Sequence, residues 1–306
     1  MELASITFWQ VAVLFMLIFT GVLCVKTGIL SISAKAELSN LLVYLIIPAM
    51  AVNSYIAEYD PEIGRHILQA FIYSTALILM GLALTVLLNR DKSDPLTPIR
   101  RFACVFSNAG YMGYPLITAL YGKEGLMYAG AYVTMFNILL WTVGVRILSR
   151  QHERGDTIRS ILKNPVIYAV FIGLAVYYLR LPVPRIIRAP LAYISDMNTP
   201  ISMMITGMLL AESNVFGLMR NARLWKTVGL RLLVIPAVCV AAFLALGIRG
   251  MVAQVTLLQE ACPCAAITAV LAVRFRHDEA FASGLVAVST LLSIVTLPAC
   301  ALLLSM

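Results

Sequence analysis

Long apolar runs separated by short polar breaks are the dominant pattern of this chain. A hydrocarbon layer of ~30 Å is crossed by about 20 apolar residues in a helix. Windows of that length fall at 6–25, 37–56, 67–88, 102–120, 127–148, 165–181, 189–210, 225–247, 251–273 and 281–304. The pattern predicts an all-α integral membrane protein of ten transmembrane helices. The first window follows an acidic start without a basic leader region, so it reads as a membrane helix that stays. The sixth window is short, and the fourth and ninth are the least regular.

The irregularity of those two windows has a visible cause. The fourth contains "SNAGYMGYPL" (107–116), with Asn108, Gly110, Gly113 and Pro115 inside an otherwise apolar run. Proline cannot donate to the carbonyl four residues back and clashes with that turn. Glycine lets the chain leave helical geometry and lets another backbone approach. The ninth contains "QEACPCAAI" (259–267), where Pro263 interrupts a run that carries Gln259 and Glu260. In lipid an interrupted helix persists only where it is buried in protein or lines water.

Charge placement adds an orientation and a midpoint. Sixteen of the 23 Lys and Arg residues fall in loops on one side of the ten windows and six on the other, with Arg231 inside a span. Cytoplasmic loops hold the excess of basic residues, so both termini are expected outside. The most polar connection, 149–164, then lies in the cytoplasm and divides the chain into five-helix halves, 1–148 and 165–306. An odd number of crossings per half makes a duplicated half insert upside-down. Pro48 precedes Pro115 by 67 residues in the first half, and Pro200 precedes Pro263 by 63 in the second. Two inverted five-helix repeats with broken fourth and ninth helices are therefore expected, the arrangement that marks a transporter's binding site.

Composition narrows the function classes. The chain has 306 residues, 61% hydrophobic and 12% charged, with mean hydropathy +0.90; a soluble domain carries roughly 25% charged residues. The net charge of +8 comes from loop clusters, with no basic stripe or aromatic platform for nucleic acid. The six cysteines lie in apolar runs and read as small buried hydrophobes. Cys262-Pro-Cys264 has the wrong spacing for a CxxC site. The three histidines are all in loops, and neither a Walker A sequence nor a GxSxG elbow occurs. No cofactor or metal is expected, and no enzyme chemistry.

Two half-helix N-termini near mid-membrane each present roughly half a positive charge and free N–H groups, which is an anion site. Freed carbonyls and half-helix C-termini suit a cation. Glu260 is a carboxylate at membrane depth, where such groups cost ~2.5–3.5 kcal/mol and mark ion or proton pathways. The bland alternative for Glu260 is a solvated helix end or a pair with Arg231. Arg231 itself reads as a side chain that reaches out to the interface. Asp196 and Asn198 read as rim residues, and Ser289, Thr290 and Ser293 as packing contacts.

The stretch "FSNAGYMGYPLITALYG" (106–122) resembles the fourth-helix motif of the auxin efflux carrier family, whose bacterial members include malonate and malate transporters. "MMITGMLLA" (203–211) is similar to its seventh-helix signature. "QEACPCAAITAVLAVRF" (259–275) and "SGLVAVSTLLSIVTLP" (283–298) resemble its last two helices. The resemblance spans essentially the whole chain. It implies broken fourth and ninth helices that cross, a scaffold and dimer-side domain of helices 1, 2, 6 and 7, and a moving domain of helices 3–5 and 8–10. It also implies a homodimer that carries organic anions by an elevator motion without ATP.

Carried over by position, the resemblance makes Asn108 the substrate contact, with Gly110, Gly113, Pro115, Pro263 and Cys264 around it. Plant members lack a carboxylate before the ninth-helix proline. Ser107, Asn108, Gln259 and Glu260 are similar instead to the sodium site of the more distant bile acid sodium symporters, which implies Na⁺ or H⁺ coupling. A cation/proton antiporter of the related fold, and a ligand-sensing receptor or channel, stay open at this level.

Overall fold

The computed structural model describes residues 2–91, 93–149, 165–212, 217 and 220–304. Every extended regular element among them is a helix. In chain order these are α1 (Glu2–Lys26), α2 (Ala34–Ser54), α3 (Pro61–Leu88) and α4 (Thr97–Val105). The run Ala109–Leu148 follows as two helices, α5 (109–121) and α6 (123–148), which meet at Gly122, whose φ of 59° lies outside helical geometry. The second half holds α7 (Pro165–Tyr178), α8 (Arg185–Asp196), α9 (Asn198–Glu212), α10 (Ala222–Ala245), α11 (Met251–Ala261), α12 (Ile267–Arg274) and α13 (Glu279–Leu304).

Six helical runs among the described residues are long and apolar enough to cross a membrane: Ile6–Lys26, Ala34–Ser54, Pro61–Leu88, Ala109–Leu148, Ala222–Ala245 and Glu279–Leu304. The remaining predicted windows hold shorter pieces. The fourth is split between α4 and α5, the ninth between α11 and α12, and the seventh between α8 and α9. The sixth holds only the 14-residue α7. The polar linker expected at 149–164 lies, from residue 150 on, outside the described residues.

Proline explains the local shape of three long helices. Wide π-helical turns occupy Leu42–Ile46, Ala109–Gly113 and Leu230–Val234, and each is followed two residues later by Pro48, Pro115 or Pro236. The carbonyl four residues before each proline lies inside the wide turn, so the extra residue relieves the ring–carbonyl clash. A fourth wide turn, Leu140–Gly144, has no proline. It ends at Gly144, where an added Cβ would come within 2.7 Å of the Phe106 ring and 2.9 Å of Phe102.

α2 packs on α7 and α8, and α1 on α9 and α13; α3 packs on α4, α11 and the α5–α6 run, and α12 on α13. The α1–α9 contact is a close backbone approach, the arrangement small residues permit in membranes. A Cβ on Gly21 would lie 2.4 Å from the Met204 carbonyl oxygen, and one on Gly207 would lie 2.0 Å from that of Ile18. At the start of α4, buried Arg100 donates to Asn89 (2.7 Å), to Thr227 of α10 (3.1 Å) and to Asp94 (3.3 Å). Asp94 also pairs with Arg223 of α10 at 3.1 Å. This cluster ties α4 to α10 at one end of the bundle.

Because backbone atoms oppose Gly21 and Gly207, neither contact relaxes by a rotamer change. Gly207→Ala is expected to destabilise the protein by about 1–3 kcal/mol, the usual cost of overpacking. Thermal unfolding in detergent checks this. An unchanged melting midpoint would mean that α1 and α9 do not approach so closely.

Candidate functional site

α4 and α11 both end inside the bundle, and the chain beyond each is extended. Phe106 has φ −99° and ψ 111°, and Cys262 has φ −58° and ψ 153°. The two extended pieces run antiparallel and bridge Ser107 to Cys264. Asn108 N–H donates to the Pro263 carbonyl at 2.7 Å, and Ala265 N–H donates to that of Phe106 at 2.9 Å. The Cys264 N–H donates to Ser289 Oγ of α13 at 3.1 Å. Each broken helix thus satisfies part of the other's freed backbone, the condition for interrupting a helix inside lipid.

The breaks bring two helix C-termini together, and one side chain meets both. Arg231, on the wide turn of α10, is fully buried. Its Nη1 donates to the Cys104 carbonyl of α4 at 2.9 Å, to Glu260 Oε1 at 3.0 Å and to the Val105 carbonyl at 3.4 Å. Its Nε donates to the Cys262 carbonyl at 3.0 Å, and its Nη2 to the Glu260 carbonyl. The second Glu260 oxygen accepts from Tyr132 Oη of α6, which lies 3.1 Å from Ser107 Oγ. Gly81 of α3 leaves room for the carboxylate, since a Cβ there would lie 3.3 Å from Oε1. Each C-terminus carries roughly half a negative charge; the guanidinium balances the carboxylate and lessens the repulsion between it and the two helix ends.

The N-terminal side is arranged differently. Asn108 precedes α5 in the N-cap position, but its side chain makes no cap hydrogen bond. It is 3% exposed and its Nδ2 has no protein partner. Gln259, wholly buried, leaves both amide atoms without one. Gly113 lies against it, where an added Cβ would fall 1.7 Å from Gln259 Oε1. The Tyr111 carbonyl, which Pro115 leaves without its helical donor, accepts from Ser202 Oγ of α9 at 3.0 Å. The crossing is thereby joined to α9.

Residues 6–300 match the membrane transport protein family. The chain belongs to that family. It is the family to which the auxin efflux carrier motifs in the fourth, seventh and last two windows pointed. An uncharacterised transporter of Methanothermobacter thermautotrophicus is 30% identical over 202 residues, which cover 64% of each chain. An uncharacterised transporter of Methanocaldococcus jannaschii is 28% identical over 211 residues, 63% of this chain and 64% of its own. The match thus spans a little under two thirds of these relatives' length. With its apolar helices, the protein is a multi-pass membrane transport protein, and the family is one of transporters.

Within this family member Ser107, Asn108, Gly113, Gln259, Glu260, Pro263 and Cys264 come together at the crossing, with four changes of detail. The fourth-helix break is centred at Phe106–Asn108, ahead of Pro115; Pro115 lies in α5, where the wide turn absorbs it. Arg231 does not reach the interface but is sealed in the crossing, because two helix ends and a carboxylate solvate it better than a distant headgroup layer. Glu260 therefore takes its paired alternative. Asn198, expected at a solvated rim, is 2% exposed with its Oδ1 unpartnered. Asp196 is exposed as expected. Ser289, read as a packing residue, is a backbone acceptor at the crossing.

Sequence reading missed Tyr132 and Ser202. A tyrosine in an apolar span and a serine in α9 carry no local signal, because their roles depend on a helix far away in sequence. Arg231 did carry one, a charge within an apolar run.

Removing one member of a buried ion pair costs ~3–5 kcal/mol, because the other is left uncompensated. Arg231→Ala also strands four carbonyls, whereas Glu260→Gln keeps two polar atoms in place. The melting midpoint should fall further for Arg231→Ala than for Glu260→Gln. The reverse order would mean that the carbonyl contacts contribute nothing.

Proposed function

We propose that the protein is a secondary transporter of a small organic anion, a mono- or dicarboxylate. The observation that carries this is the asymmetry of the crossing. The cation-attracting C-terminal side is filled by Arg231, while on the N-terminal side Asn108 offers a buried amide N–H₂ with no protein partner. Helix N-termini with a free amide donor match a carboxylate's oxygens. Gln259, beside the crossing, adds a second buried amide N–H₂ without a partner. Gly113 makes room for the Gln259 amide, Gly110 presents backbone without a Cβ, and Pro263 and Cys264 hold the opposite strand of the bridge.

Alternating access follows from the same parts. The ten windows, read as ten crossings, make two inverted repeats with the broken helices as counterparts. α1, α2 and α7–α9 form the scaffold in this reading, and α3–α6 with α10–α13 form the moving body that carries the crossing. Ser202 on Tyr111 is then a contact between scaffold and moving body, broken and remade as the body slides. Both termini lie outside and the central loop is cytoplasmic. The homodimer expected from the resemblance forms on the scaffold side. The engagement of both Glu260 oxygens by protein groups favours an anion carrier over a cation/proton antiporter, which needs that carboxylate open.

Reconstituted protein is expected to take up labelled malonate, malate or a related acid. Asn108→Ala should abolish most of that uptake while leaving the melting midpoint in place, since the lost Nδ2 has no protein partner. A ligand at ~100 times its dissociation constant should stabilise the wild type by ~2.7 kcal/mol. A broad carboxylate panel that yields neither uptake nor stabilisation overturns the substrate class.

A further inference from the structure

We propose that Arg231 is a resident cation standing in the place of a coupling ion, so that the protein carries its anion without Na⁺. Four backbone carbonyls (Cys104, Val105, Glu260 and Cys262) and the Glu260 carboxylate converge on one point. An all-oxygen set of carbonyls and a carboxylate is the donor set of a hard cation. Here each of those oxygens accepts from a guanidinium nitrogen, at 2.9–3.0 Å for Cys104, Cys262 and the carboxylate and at 3.4 Å for Val105. The fork of Arg suits such a cage, because its five N–H groups are fixed in a plane and it stays charged when buried.

Three features show that this is a filled site rather than a chance pair. The donors come from both broken helices, so the charge serves the crossing as a whole. The carboxylate oxygen that Arg231 does not take is engaged by Tyr132, and Ser107, an ion-ligand candidate through the resemblance to sodium symporters, lies against that tyrosine hydroxyl. Glu260 and Arg231 are both fully buried. A sodium ion entering here would have to displace the guanidinium into lipid or protein with no other anion among the groups that contact it. The moving body then carries a permanently neutralised crossing, and the charge it translocates is the substrate's own.

The transport consequence rests on the anion-carrier reading above, but the decisive measurement does not. Thermal unfolding of purified protein is followed without any organic acid, in NaCl against choline chloride at equal ionic strength. The wild type should show the same midpoint in both salts. Arg231→Ala, which empties the cage and leaves Glu260, should acquire a saturable stabilisation by Na⁺ or by guanidinium, and the Arg231→Ala/Glu260→Gln double variant should lose it. Where Arg231→Ala does not fold, Arg231→Lys serves; it keeps the charge but not the fork, so it should melt lower than wild type yet stay indifferent to Na⁺.

Saturable stabilisation of the wild type by Na⁺ that vanishes in Glu260→Gln overturns the proposal. So does a folded Arg231→Ala that responds to neither cation. In proteoliposomes, uptake should run at the same rate in Na⁺ and choline, and strict Na⁺ dependence there counts against the proposal equally. Failure to find any transported carboxylate would defeat the functional reading alone, since the melting result stands without it.

Discussion

A helix interrupted in a membrane leaves carbonyls and N–H groups that no water can satisfy, and the organisation of this protein follows from how they are met. The short antiparallel bridge between Ser107 and Cys264 joins the two breaks and satisfies two of the freed N–H groups, those of Asn108 and Ala265. Arg231 takes the carbonyls at both helix ends and pairs with Glu260. Without that guanidinium two negative helix ends and a carboxylate would face one another in a low-dielectric interior, where like charges repel strongly. The wide turn of α10 aims Arg231 inward, and the Asp94–Arg100–Arg223 cluster fastens α4 to the same helix.

With the negative ends neutralised internally, the positive ends are left for something else. The same folding device therefore produces a polarity across the crossing: a satisfied side and a receptive one. Asn108 lies at the receptive side, buried and with its amide N–H₂ unpartnered. A buried polar atom without a partner costs about 1–3 kcal/mol, and under the proposed function a bound anion meets that cost at this N-terminus. Stability and the proposed function would then draw on one electrostatic arrangement, with Arg231 bearing on both.

The contacts around the crossing differ in kind. Ser202 meets the carbonyl that Pro115 frees, and Tyr55 Oη donates to the Met127 carbonyl at 2.9 Å. Each is a single hydrogen bond to backbone, worth about 0.5–1.5 kcal/mol net. The α1–α9 contact is instead a tight backbone approach, in which carbonyl oxygens of each helix oppose a glycine of the other.

Much of this was legible in the residues alone. Runs of about twenty apolar residues announce membrane helices because the hydrocarbon layer fixes their length, and the ten windows all carry helix. Glycine and proline within two of them announced the breaks, because those residue types lose or weaken helical bonds wherever they occur. The family followed from the motifs around them. The register of the first break did not follow, since proline marks a lost donor but not where the chain departs. Pro115 could be absorbed by a wide turn while the helix parted at Phe106. Nor could sequence say that Arg231 turns inward to Glu260, that Tyr132 takes the second oxygen or that Asn198 is buried. Those depend on which distant segments meet, and a buried charge is decided by the partners that packing brings within 3 Å of it. Local chemistry determined the elements and the candidates; only the tertiary structure decided which charge is satisfied and which polar group is left open.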